Sequence, residues 1–73
     1  MPEYNVKLAW DNESNVWIAT SDQIDGLVLE CGSIDALIQK VKFAIPELLS
    51  LNAELAQNFS ICFRSEWHEM VRL

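Results

Sequence analysis

Residues 33–49 read SIDALIQKVKFAIPELL, and this stretch decides how the rest of the chain folds. Ile34, Leu37, Ile38, Val41, Ile45, Leu48 and Leu49 recur with helical spacing and fall on one face, while Gln39, Lys40 and Lys42 take the opposite, wet side. Ser33 is placed to cap the first turn, and Asp35 suits the positive end of the helix dipole. Pro46 has no N–H for the carbonyl of Lys42 and disfavours the α conformation at Ile45. Because Leu48 and Leu49 keep the apolar stripe going, the expectation is one bent helix continuing to about Asn52, with Ala53 to Asn58 as the connection onward.

Upstream of this helix the period changes from that of a helix to that of a strand. Tyr4, Val6, Leu8 and Trp10 alternate with Asn5, Lys7 and Ala9, which predicts a first strand with one strongly apolar face. Asp11 to Asn15 is a cluster of turn formers, and Val16 to Thr20 resumes with β-branched and aromatic residues, so the two segments should pair as an antiparallel hairpin. Ser21 to Gly26 reads as a second polar turn, with Gly26 available for a positive φ, before a third strand over Leu27 to Cys31. Downstream of the helix, Phe59, Ile61 and Phe63 alternate with polar residues, a strand pattern carried almost to Leu73; two turns of helix over Trp67, Met70 and Val71 are the alternative for the tail.

The order β-β-β-α-β predicts an α+β fold: a right-handed crossover sets the fourth strand parallel to the first and beside it, giving a four-stranded mixed sheet of order 3-2-1-4 with one long kinked helix on one face. One helix covers one face. In the second strand, however, Val16 and Ile18 oppose Trp17 and Ala19, so both parities are apolar and the other face needs a cover. The C-terminal tail and a second copy of the chain are the candidates, and the latter implies a homodimer.

With 73 residues there is room for a single domain spanning 1–73, and a core this small gains from burying a further surface in an assembly. The formal net charge is −6, and from Asp11 to Asp35 the acids Asp11, Glu13, Asp22, Asp25, Glu30 and Asp35 run without a Lys or Arg. Direct nucleic-acid binding depends on cations that displace phosphate counterions, so a basic protein is the better-matched partner. No apolar run reaches the roughly 18 residues of a membrane helix, and the N-terminus lacks the basic and apolar pattern of a signal peptide, so a cytoplasmic protein is expected. Cys31 and Cys62 sit in apolar, β-prone stretches and read as buried thiols.

Several segments agree in order and spacing with a known group. Strand one ending in Trp10-Asp11, the segment Val16-Trp17-Ile18-Ala19-Thr20-Ser21, Gly26-Leu27-Val28 followed by Glu30, and Ala44-Ile45-Pro46-Glu47-Leu48-Leu49 resemble a small bacterial domain-of-unknown-function family grouped with the HicB-like antitoxins, over roughly residues 3 to 52. That resemblance implies a partial RNase H-like fold. It also implies a domain that binds and blocks a small basic ribonuclease toxin, whereas no counterpart to the separate C-terminal DNA-binding segment of HicB antitoxins is expected in the short tail after strand four.

Catalysis finds little support in the residues. A carboxylate-held Mg²⁺ site needs acids that converge, and Asp11 and Glu13 fall on the first turn while Asp22 and Asp25 fall on the second, at the other end of the sheet. His68 has neither a nucleophile nor an orienting acid in evident reach, and Cys62 lies mid-strand between apolar neighbours. Trp10, Trp17 and Trp67 lack the interleaved cations of a single-strand binder, so packing or interface roles suit them better. No catalytic, metal or cofactor site is expected; the expected partner-binding residues are Asp11, Glu13, Asp22, Asp25 and Trp67.

Overall fold

In the computed structural model, residues 2–51 and 58–72 are described. Strands β1 (Glu3–Asp11), β2 (Val16–Thr20) and β3 (Val28–Cys31) precede helix α1 (Ile34–Leu51), and β4 (Ser60–Glu66) follows it. The sheet has the order β3-β2-β1-β4, as the alternation and the crossover require. β1 pairs antiparallel with β2, from Lys7 opposite Thr20 to Asp11 opposite Val16, and parallel with β4, from Glu3 beside Ser60 to Ala9 beside Glu66. Among the described residues β3 pairs antiparallel with β2 alone, so β3 and β4 are the two edges of the sheet.

These registers set the faces. Since side chains alternate along a strand, Tyr4, Val6, Leu8 and Trp10 share one face with Trp17, Ala19, Leu29, Cys31, Ile61 and Phe63. α1 lies over this face, and Val6, Leu8, Ala19, Leu37, Val41, Ile45 and Leu49 form the core with Ile24 and Leu27. Ser33 caps the helix as expected, its Oγ accepting from the Ala36 N–H at 3.4 Å and its carbonyl from the Leu37 N–H at 3.0 Å. The helix runs without a break through Pro46. A missing hydrogen bond there is offset by the burial of Ile45 and Leu49 on either side of it.

The turns explain where the strands stop. Asp11 folds the first turn by accepting the Glu13 N–H on its carboxylate at 3.0 Å and the Asn15 N–H on its carbonyl at 2.9 Å, and Asn15 takes a left-handed φ of 55° that asparagine tolerates. After Thr20 the chain leaves the ladder, yet Asn5 of the central strand still needs partners on that side. Side chains supply them: Ser21 Oγ donates to the Asn5 carbonyl at 2.8 Å, and Gln23 Oε1 accepts the Asn5 N–H at 2.6 Å. Gly26 then turns the chain with a φ of 86°.

Four expectations need correction. The second turn is not merely polar, because Ile24 and Leu27 fold inward and close one end of the core; β3 accordingly begins at Val28 rather than Leu27. The fourth strand ends at Glu66, and Trp67 to Arg72 is neither strand nor helix: the parallel ladder closes at Ala9 beside Glu66, although β1 itself runs on to Asp11. Cys31 and Cys62 are half-buried rather than buried, one at the margin of the core and one on the uncovered face. The tail leaves that face largely open: Trp67 packs on Trp10, which lies on the helix side, while His68 meets Glu66 at the margin of the open face. The expected connection at Ala53 to Asn58 lies, apart from Asn58, outside the described residues.

Candidate functional site

Two surfaces hold the chemistry that the core leaves over. The first is the sheet face away from α1, where Asn5, Lys7, Ala9, Val16, Ile18, Thr20, Val28, Glu30, Cys62, Arg64 and Glu66 alternate with the core residues. Towards the second turn this face forms a concavity of about 480 Å³, with Ser21, Asp22 and Gln23 beside Asn5, Lys7, Thr20, Arg64 and Glu66. Lys7 Nζ meets Glu66 Oε2 at 2.8 Å across β1 and β4. Hydrogen bonding and charge from Glu66 raise the Lys7 pKa, with Asp22 a smaller contributor, and Lys7 and then His68 hold Glu66 below its ordinary value. Both partners are about half exposed, so this pair orients the face and contributes little to stability.

The second surface is an indole-lined rim at the opposite end of the sheet. Trp10 and Trp17 are cross-strand partners, 5.5 Å apart and at 62°, and Trp67 lies flat on Trp10 at 4.6 Å and 4°. Asn12 ties the first turn to both, its Oδ1 accepting the Trp10 Nε1–H at 2.7 Å and its Nδ2 donating to the His68 carbonyl at 3.3 Å. Beyond the rim the tail shows apolar side chains to solvent, with Met70 84% and Val71 77% exposed.

Of the expected binding residues, Asp11, Glu13 and Trp67 share the rim end, whereas Asp22, which lines the concavity, and Asp25 lie on the second turn. The four acids therefore divide between two ends of the sheet. Among the described residues, no three of His, Cys, Asp or Glu gather where a metal ion would sit. His68 is exposed and meets Glu66 Oε1 at 3.2 Å, which positions a surface side chain and no nucleophile. No helix among the described residues is long and apolar enough to cross a membrane.

The row of Lys7, Arg64 and Glu66 escaped the reading of the sequence. Its signal was present, since all three occupy the parity opposite to the core and the expected pairing of β1 with β4 sets them side by side. The stacking of Trp67 on Trp10 was beyond reach, because it depends on how the chain leaves β4.

The fold and these surfaces define a small α+β domain whose mixed sheet, among the described residues, is covered by helix on one side. The chain belongs to the family described as Domain of unknown function (DUF1902), which matches residues 3–71. It is also similar to a hypothetical protein of the extremely thermophilic bacterium Thermus thermophilus, whose crystal structure superposes with a TM-score of 0.74 at 30% identity over 97% of this chain and 99% of that one. A search of curated proteins found no match.

Proposed function

We propose that this chain is a non-catalytic, cytoplasmic protein-binding module, resembling the toxin-binding domain of HicB-type antitoxins, whose ligand is a small basic protein. The observation that carries this reading is the outer edge of β4: among the described residues Ser60–Glu66 has β1 as its single ladder partner, and a half-exposed Trp67 follows it. Such an edge offers main-chain groups to an added strand, and the indole beside it offers an anchor. The net charge of −6 selects for a basic partner, and acids at both ends of the sheet would steer its approach from either side.

A second reading has its own support. Ala9, Val16, Ile18 and Cys62 are only half-buried on the uncovered face, and Val28 is 70% exposed, so a second copy of the chain would gain by covering them. Sedimentation at micromolar concentration separates the possibilities: twice the chain mass supports self-association through this face, and the single-chain mass removes it.

The binding reading is tested by mixing the purified chain with a small basic protein encoded beside its gene in the native host and following the complex by interferometry. A saturable complex that forms more slowly as salt rises is the expected result. Cleavage of RNA or an RNA–DNA hybrid by the chain in Mg²⁺ or Mn²⁺, abolished by Asp11→Asn, would overturn the non-catalytic reading.

A further inference from the structure

One face of the Trp67 indole rests on Trp10, and Trp17 meets its edge at 5.5 Å and 65°. A ring stacked on one side and still 49% exposed presents its other π face to solvent. Its Nε1–H is already donated to the Glu69 carboxylate, so the in-plane partner is an anion and the ring is held in place from its edge. Trp10 is likewise fixed through Nε1–H to Asn12, so the supporting ring is also pinned. The surface is thus pre-formed, and a ligand would not have to order it.

Charge decides what fits there. The turn that Asn12 binds to the tail brings Glu13, with Asp11 at the start of the turn, to the same end as Glu69, and within residues 10–16 and 66–72 these acids and Glu66 stand against a single arginine, Arg72. A purely apolar partner would place its surface among these carboxylates and desolvate them without compensation. A cation gains twice, from the negative face of the indole and from the carboxylates around it. Guanidinium suits the site better than ammonium, because it is flat, weakly hydrated and able to stack on the ring while its edge donates to a carboxylate.

We infer that the outer face of Trp67, with Glu69 and the Asp11–Glu13 turn beside it, is a docking site for an arginine side chain of a basic protein segment. The inference rests on the proposed function for the basic character of the partner and adds which group of that partner is read, and where.

The probe is a short peptide of alternating Arg and Gly, compared with the same peptide carrying citrulline, which keeps the shape and removes the charge. The three tryptophans give three indole N–H signals in a proton–nitrogen correlation spectrum, and Trp67→Phe identifies the one that matters. The Arg peptide should move the Trp67 signal saturably, the citrulline peptide should leave it in place, and Trp67→Ala should weaken binding by about five- to thirtyfold. Glu69→Gln leaves the indole stack standing and should also weaken binding. An unmoved Trp67 signal, or equal shifts with both peptides, would overturn the inference. A basic protein partner that binds Trp67→Ala at full affinity would overturn it too, while leaving the binding-module reading intact; Arg peptide seated on Trp67 with no protein partner found would do the reverse.

Discussion

Val6 and Leu8 are buried to within 1% of their surface, yet Asn5 and Lys7, their immediate neighbours on the same strand, stand in solvent on the other side of the sheet. The difference comes from the cover and not from the strand: α1 lies over one face, and no described element lies over the other. Stability is therefore concentrated beneath the helix, where the seven buried strand and helix side chains interlock with Ile24 and Leu27 from the second turn. On the uncovered face an ion pair, a concavity and a few half-buried apolar groups can change without removing the core. A sheet divided in this way can hold its shape while its open side meets a partner.

Substitutions on the two faces should then differ sharply, and the largest effect belongs beneath the helix. Leu37 is fully buried, so Leu37→Ala should cost about 2–5 kcal/mol, a large fraction of what so small a domain has. Gln39→Ala, on the exposed side of the same helix, should leave the melting temperature almost unchanged. Equal melting temperatures for the two variants would mean that the buried face is misassigned.

A smaller loss is expected where the second turn meets the helix. Gly26 holds a φ of 86°, and a Cβ there would lie 3.4 Å from Leu48 Cδ2, within ordinary contact. Gly26→Ala should therefore destabilise through the backbone and not through a clash, by about 1–2 kcal/mol in chemical denaturation. A neutral result would show that the turn relaxes and that Ile24 and Leu27 do not depend on it.

The uncovered face should give the smallest response, and one that depends on pH. Because Lys7 and His68 lower the Glu66 pKa, the contribution of this carboxylate is present above its ordinary value of 4.5 and is lost as pH falls through the lower, folded value. The raised Lys7 pKa works the other way, its contribution being complete below 10.5 and lost as pH rises beyond that. Melting curves of the wild type and Glu66→Gln should differ slightly at neutral pH and converge in acid. A difference that grows in acid would contradict the pairing.

The sequence made one half of this comparison legible and left the other half obscure. Helical spacing from Ile34 to Leu49 and strict alternation from Tyr4 to Trp10 fixed the covered face and the strand order, because burial imposes a period that can be read without neighbours. Ile24 gave no such sign: a lone isoleucine among Ser21, Asp22, Gln23 and Asp25 has no periodic partner, and only the closing of the core end calls it inward. The tail failed for a related reason, since apolar residues recur at odd positions past Glu66 while the pairing with β1 stops there. Of the site, the split of the acids between two turns followed directly from the hairpin, whereas the stacking of Trp67 on Trp10 did not.

If, as proposed, the open edge and rim receive a small basic protein, charge draws it in and contacts of another kind hold it. Asp22 and Asp25 are exposed and remote from the Trp67 rim, so neutralising them should alter the approach of a partner and not its grip. The direct measurement is the association rate of the native basic partner with the wild type and with a combined Asp22→Asn and Asp25→Asn variant across a range of salt. The account predicts association that slows as salt rises and a slower rate for the variant at low salt, with dissociation nearly unchanged in both. A partner whose association ignores both salt and the two substitutions, or recovery of nothing but the chain itself, would contradict it.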